Sequence, residues 1–189
     1  FHMATLDIRQ NSRFHDLALA QLLHAAGLPG EDFPDWDEER RLEFLNAELK
    51  SVRPFTLPDM PLGPEAQAVL DSYRVIARHI KTFGTAGLGA LIVSMTRSLS
   101  DLLVVYLLAR EAGVVINTDA GLVCRLPVVP LFETIDDLER SPDILDAFLS
   151  HPVTKASLAY HQHINDADEQ LQQVMVGYSD SNKDGGIFA

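Results

Sequence analysis

Apolar residues in this chain recur with two different periods, and the switches between them outline alternating strands and helices. "MATLDIR" (residues 3–9) reads as a short strand. "FHDLALAQLLHAAG" follows as a helix, with Leu19, Leu22, Leu23 and Ala26 at helical spacing and Gly27 as a stop. After the loop "LPGEDFPD", "WDEERRLEFLNAELK" is a charged helix with a narrow stripe at Leu42, Leu45 and Leu49. A proline-rich connector (residues 53–65) leads to the clearest amphipathic helix, where Ala66, Val69, Leu70, Tyr73, Ile76, Ala77 and Ile80 step by three and four. "GTAGLG" ends it.

"ALIVSM" (residues 90–95) is a buried-type strand, a short apolar run between turn signals. "SLSDLLVVYLLAREAG" is the next helix, with Ser98 or Ser100 as N-cap and Gly113 as its end. "LPVVPLFET" (residues 126–134) is a third strand, whose prolines suggest strand ends or a bulge. Two short helices are expected next, "IDDLER" and "SPDILDAFLS", the second with Ser141 as N-cap and Pro142 at its first position. "QQVMVGYSD" (residues 172–180) is the fourth strand. Short apolar strands separated by helices imply an α/β fold with a parallel sheet, read as one segment over residues 1–189. The pattern fits a barrel and an open doubly wound sheet equally well.

Composition narrows the function. With 189 residues, 47% hydrophobic and 22% charged, the chain can bury a sizeable core. A net charge of −12, from 15 basic and 27 acidic side chains, argues against nucleic acid or an anionic membrane as partner. It leaves room for a small anionic substrate held by a local Arg or Lys. A single cysteine, Cys124, allows no intrachain disulfide, and no apolar run approaches 18 residues. A cytoplasmic protein is expected.

Each strand ends in residues with useful chemistry: Asp7 and Arg9; Ser94, then Thr96 and Arg97; Glu133 and Thr134; Tyr178, Ser179 and Asp180, then Lys183. Ligands of parallel α/β folds bind at the carboxyl ends of strands. Two carboxylates without His or Cys suit a hard cation, Mg²⁺ or Mn²⁺. Arg9 suits bidentate binding of phosphate or carboxylate, and Lys183 suits an oxyanion. Each residue also has a plainer reading. Glu133 and Thr134 fit a helix cap, Arg9 fits an ion pair with Asp7 or another neighbour, and Asp180, Lys183 and Asp184 fit a solvated turn. Their coincidence at four strand ends favours a site.

Other motifs carry less. Asp180, Asn182, Asp184 and Gly185 match half of a calcium loop, but its twelfth position would be residue 191 and a strand precedes it. His161 and His163 ("HQH") share a face only if extended, and their polar setting suggests solvated histidines. Cys124 reads as a buried thiol. "GTAGLG" lies between helix and strand, the reverse of a dinucleotide-binding turn.

"FHMATLDIRQNS", "IVSMTRSLSDLLVVYLLAREAG", "LPVVPLFETIDDLE" and "VMVGYSDSNKDGG" resemble, in this order and at comparable spacing, segments of the phosphoenolpyruvate carboxylase family. The resemblance covers the whole chain and about a fifth of a typical member. It implies carboxylation of phosphoenolpyruvate by bicarbonate to oxaloacetate and phosphate, with Mg²⁺ or Mn²⁺, in a cytoplasmic homotetramer. It also implies an eight-stranded β/α barrel within a mostly helical subunit, of which this chain is a part. By motif, Glu133 and Asp180 correspond to the metal ligands, Arg9 to an arginine on the phosphate side of the substrate, Lys183 to a lysine near the metal and Met175 to an apolar position near the substrate's methylene.

The family's upstream histidine motif and downstream Gly/Arg-rich loop have no counterpart in these residues. The chain therefore reads as a fragment, inactive alone. The alternatives are another divalent-metal lyase of barrel fold, or a non-catalytic binding or assembly module.

Overall fold

The computed structural model describes residues 4–57 and 59–177. Its strands and helices run β1 (Leu6–Asn11), α1 (Ser12–Ala25), α2 (Glu38–Glu48), α3 (Pro64–Phe83), β2 (Leu88–Ser94), α4 (Leu99–Glu111), β3 (Val115–Thr118), β4 (Gly121–Cys124), β5 (Val128–Phe132), α5 (Ile135–Ser150), α6 (Pro152–Ile164) and β6 (Met175–Val176), with a 3₁₀ turn at Phe33–Asp35. β1, β2, β5 and β6 form one parallel sheet in that order, while β3 and β4 form a separate antiparallel hairpin. The expected α/β class with a parallel sheet is therefore present.

The two faces of the sheet differ. Leu91 and Val93 of β2 and Val128 and Phe132 of β5 join the main core, together with residues of every helix from α1 to α6. The opposite face carries Ala90, Ile92, Val129 and Leu131, an apolar cluster built from strand residues alone. Both sides of β2 and β5 are thus buried, which explains their near-continuous apolar runs. α4 sits deepest. Every residue from Ser100 to Glu111 is buried, as its all-round apolar sequence requires.

Several local expectations are corrected. The first strand begins at Leu6 and continues to Asn11, so Asp7 lies at its amino end. There Asp7 Oδ1 accepts the Ala90 N–H at 2.9 Å, where the β1–β2 register shifts. Gly89 permits this approach, since a Cβ there would stand 2.0 Å from the Asp7 carboxylate. Ser98 occupies the N-cap position of α4 without a side-chain cap; Glu38 of α2 instead accepts from the Ser100 N–H (3.0 Å) and hydroxyl (2.6 Å).

Pro130 lies inside a central strand, opposite Val93. Its phase explains the tolerance. The Leu131 carbonyl accepts from Thr96 on the β2 side, and the Phe132 carbonyl from Gly177 on the β6 side. Pro130 shares the phase of Phe132, so its missing N–H faces β6, whose pairing begins only at Leu131.

The two helices expected over residues 135–150 are one, with Pro142 inside. Proline removes the donor that would meet the Leu138 carbonyl; Ser141 Oγ donates to it at 2.8 Å instead. The hairpin β3–β4 and helix α6 were not anticipated. On α6, His161 and His163 sit two positions apart on a helix and so diverge. His163 is exposed but His161 is partly buried, and burial lowers its pKa, so the solvated reading holds for one of the pair only.

Candidate active site at the carboxyl ends of the strands

Side-chain alternation decides which residues meet. Ile8 packs on the helical core, so Arg9 points to the other face of the sheet. Residues 129 and 131 occupy that same face, and Glu133 continues their alternation one residue beyond β5. Met175, paired with Leu131, joins them. Arg9, Glu133 and Met175 therefore share the strand-only face near the carboxyl ends.

Across β2, Arg9 Nη2 donates to Glu133 Oε1 at 2.9 Å. The arginine side chain is 53% exposed and that of Glu133 only 8%. The Met95 N–H, just after β2, donates to Glu133 Oε2 at 2.7 Å. Both oxygens of a buried carboxylate thus accept hydrogen bonds, one from the Arg9 guanidinium on β1 and one from the peptide N–H just after β2. Thr134 supplies the helix cap, its Oγ1 accepting from the Asp137 N–H at 3.1 Å. The adjacent pair divides its work: Thr134 starts α5, and Glu133 turns into the site.

Met95 has a φ of 55°, in the left-handed region that non-glycine residues rarely occupy. Its carbonyl accepts from Ser12 Oγ at 2.7 Å. The next peptide N–H, of Thr96, reaches the Leu131 carbonyl at 3.2 Å, and Thr96 Oγ1 reaches the Val93 carbonyl at 2.8 Å. Thr96 is fully buried and structural rather than a rim group.

Arg97 belongs to a buried ionic cluster behind the rim. Its Nη2 meets Asp101 at 2.9 Å and Asp16 at 3.2 Å. Arg41 Nη2 pairs with Asp16 and, at 3.2 Å, with Asp101. These residues tie α1, α2, α4 and the turn after β2 together. Burial pushes the Asp16 carboxyl up to about 6, against the pull of Arg41. Hydrogen bonding to Asp101 raises the pKa of Arg97. Neighbouring His15, whose Nε2 lies 3.3 Å from the Tyr73 hydroxyl, is lowered to about 4 by burial. Sequence patterning missed this cluster, because its members are far apart in the chain. The local signals were Asp16 and Asp101 inside otherwise apolar helical faces.

Of the residues anticipated from sequence, Arg9, Glu133 and Met175 come together. Asp180, Lys183 and the calcium-like Asn182, Asp184 and Gly185 lie outside the described residues. Met175 is 38% exposed at the edge strand. Cys124 is fully buried, and burial pushes its thiol up to about 12, so it is an inert core group. No cluster of three or more His, Cys, Asp or Glu suited to a metal occurs among the described residues. Nor is any described helix long and apolar enough to cross a membrane. A cavity of about 820 Å³, lined by Arg74, Arg78, Lys81 and Arg125 among others, lies beside α3 and involves none of the rim residues.

The phosphoenolpyruvate carboxylase family model matches residues 1–189. Phosphoenolpyruvate carboxylases similar to this chain include that of Gloeobacter violaceus, 39% identical across all of it, and that of Mycobacterium avium, 40% identical across all of it. That of Rhodothermus marinus is 39% identical, again over the whole chain. The chain spans 19%, 19% and 20% of these relatives' lengths respectively. Matched from end to end by the family model and by these relatives, the chain belongs to the phosphoenolpyruvate carboxylase family.

Proposed function

We propose that this chain carries the metal and phosphate side of an active site that converts phosphoenolpyruvate and bicarbonate to oxaloacetate and phosphate. The observation that carries this reading is the Arg9–Glu133 pair: a buried carboxylate and a half-exposed guanidinium, joined at 2.9 Å on the strand-only face of a parallel sheet.

The donor chemistry of Glu133 fits Mg²⁺ or Mn²⁺. Glu133 is a carboxylate oxygen donor at the end of β5, with one oxygen facing the Arg9 guanidinium and the other the Met95 N–H. Such cations take one or two carboxylates and complete their shell with water and substrate oxygens. Asp180 is the proposed second ligand. When bound, the cation supplies charge neutralisation at the phosphate and at the enolate oxygen.

Arg9 gives one of its five N–H groups to Glu133 and turns the others toward solvent, where they orient the phosphate. A bicarbonate oxygen attacks phosphorus and the bond to the enolate oxygen breaks, giving carboxyphosphate and enolate. The enolate carbon then takes the carboxyl carbon, and phosphate leaves. Lys183 stands near the developing oxyanion in this scheme, and Met175 offers an apolar surface to the methylene.

The sheet is proposed as part of an eight-stranded β/α barrel. Support comes from its faces: among the described residues helices pack on one side, as in a barrel, whereas a doubly wound sheet has them on both. A cytoplasmic homotetramer accompanies this reading.

The test uses the longest natural polypeptide containing residues 1–189, assayed for oxaloacetate and phosphate with bicarbonate and Mg²⁺ or Mn²⁺. Equimolar formation of both is expected, together with Mn²⁺ binding that Glu133→Gln abolishes. Pyruvate as the sole carbon product would point to another lyase. Mn²⁺ binding untouched by Glu133→Gln would remove the ligand role.

A further inference from the structure

Glu133 is not held by its own strand alone. We propose that Ser12 is a positioning residue for Glu133, acting through the backbone of Met95. The inference rests on the reading of Glu133 as a cation ligand.

The chain of contacts is short. Ser12 Oγ donates to the Met95 carbonyl at 2.7 Å, and the Met95 N–H donates to Glu133 Oε2 at 2.7 Å. Between these two bonds lies the one torsion that a methionine does not choose freely, φ at 55°. A left-handed residue reverts to the ordinary region unless its flanking peptides are pinned. The peptide before Met95 is pinned by Glu133. The peptide after it is pinned at its oxygen by Ser12 and at its nitrogen by the Leu131 carbonyl.

Ser12 is itself part of the packed frame. It is buried, and it opens α1 directly after the N-cap residue Asn11. One turn later on the same helix, Asp16 locks α1 to Arg97, two residues beyond Met95. The hydroxyl and the turn it holds are therefore fixed in one frame. Removing the hydroxyl leaves that frame intact and frees the Met95 carbonyl. The turn is then pinned at the Thr96 nitrogen but no longer at the Met95 carbonyl, so the donor aimed at Oε2 is less firmly placed and the carboxylate is less tightly oriented. Orientation of an oxygen ligand by such an outer contact commonly governs metal affinity.

The experiment measures Mn²⁺ binding by electron paramagnetic resonance in the longest natural polypeptide containing residues 1–189. It compares the unaltered protein with Ser12→Ala, Ser12→Thr and Glu133→Gln, each checked for its urea midpoint. Ser12→Ala is expected to weaken Mn²⁺ binding about tenfold. Ser12→Thr, which keeps the hydroxyl, should lie closer to the unaltered protein than Ser12→Ala does. Unchanged binding in Ser12→Ala, with binding lost in Glu133→Gln, overturns the positioning role and leaves the ligand role standing. Equal losses in Ser12→Ala and Ser12→Thr assign the effect to packing and also overturn it. Unchanged binding in Glu133→Gln overturns the ligand reading, and this inference with it.

Discussion

Arg9 and Glu133 are 124 positions apart in sequence, yet their side chains join at 2.9 Å across an intervening strand. The pair is asymmetric, since the arginine faces solvent and the glutamate does not. The exposed guanidinium end is the one the proposed phosphate would meet. Arg9→Lys keeps the charge but loses the planar fork. In the longest natural polypeptide, turnover with phosphoenolpyruvate should fall about a hundredfold, the usual scale for loss of one aligned donor. Steady-state kinetics that match the unaltered protein would remove Arg9 from the phosphate site.

Asp16 and His15 are adjacent and buried, and their titrations oppose each other. The raised pKa of Asp16, about 6, means the folded state binds the proton more tightly than the unfolded chain. Its contribution to stability is complete below about 4 and is lost as pH rises through about 6. The lowered pKa of His15, about 4, contributes stability that is complete above about 6.5 and is lost as pH falls through about 4. Relative to the unaltered protein, Asp16→Asn should therefore show stability rising more steeply from pH 4 to 6.5, and His15→Gln less steeply. Urea midpoints across that range check both signs.

Ser141 substitutes for the donor that Pro142 lacks. Ser141→Ala should cost about 1 kcal/mol, a typical net value for one hydrogen bond. In a Pro142→Ala background the new N–H serves Leu138, and the same serine change should cost much less. A double-mutant cycle by chemical denaturation reads the difference; additive costs would show that the hydroxyl does not fill the gap.

Gly89 admits the Asp7 carboxylate where β1 and β2 slip register. Gly89→Ala should destabilise by about 1–3 kcal/mol, the range for forced overpacking. Adding Asp7→Ala should recover part of that loss, since it removes the clashing oxygen. Thermal unfolding of the two variants provides the comparison.

How far these features were legible in sequence depends on distance along the chain. β2 and β5 announced themselves because strands buried on both faces are short apolar runs. α3 did so through a regular stripe facing the core. Glu133 and Arg9 were found as polar residues at the ends of such runs. Asp7 was misplaced because apolar alternation marks a strand but not its first residue. Pro130 and Pro142 were read as boundaries because their tolerance depends on tertiary detail: the phase of β5, and a neighbouring hydroxyl. The contacts of Ser12 with Met95 and of Arg41 with Asp101 have no local signature, since each joins residues brought together only by the packed fold.

The ionic cluster behind the rim bears on how the chain balances its buried charge. Asp16 and Arg41 come first in the chain and pair with each other in the fold; Arg97 and Asp101 come later and also pair. Each half is electrically neutral before they meet. When α4 docks onto α1 and α2, two balanced pairs merge and gain the crossed contacts of Arg41 with Asp101 and Arg97 with Asp16. In this arrangement each carboxylate has an arginine partner in its own half of the chain, so neither half depends on the other to neutralise a buried charge.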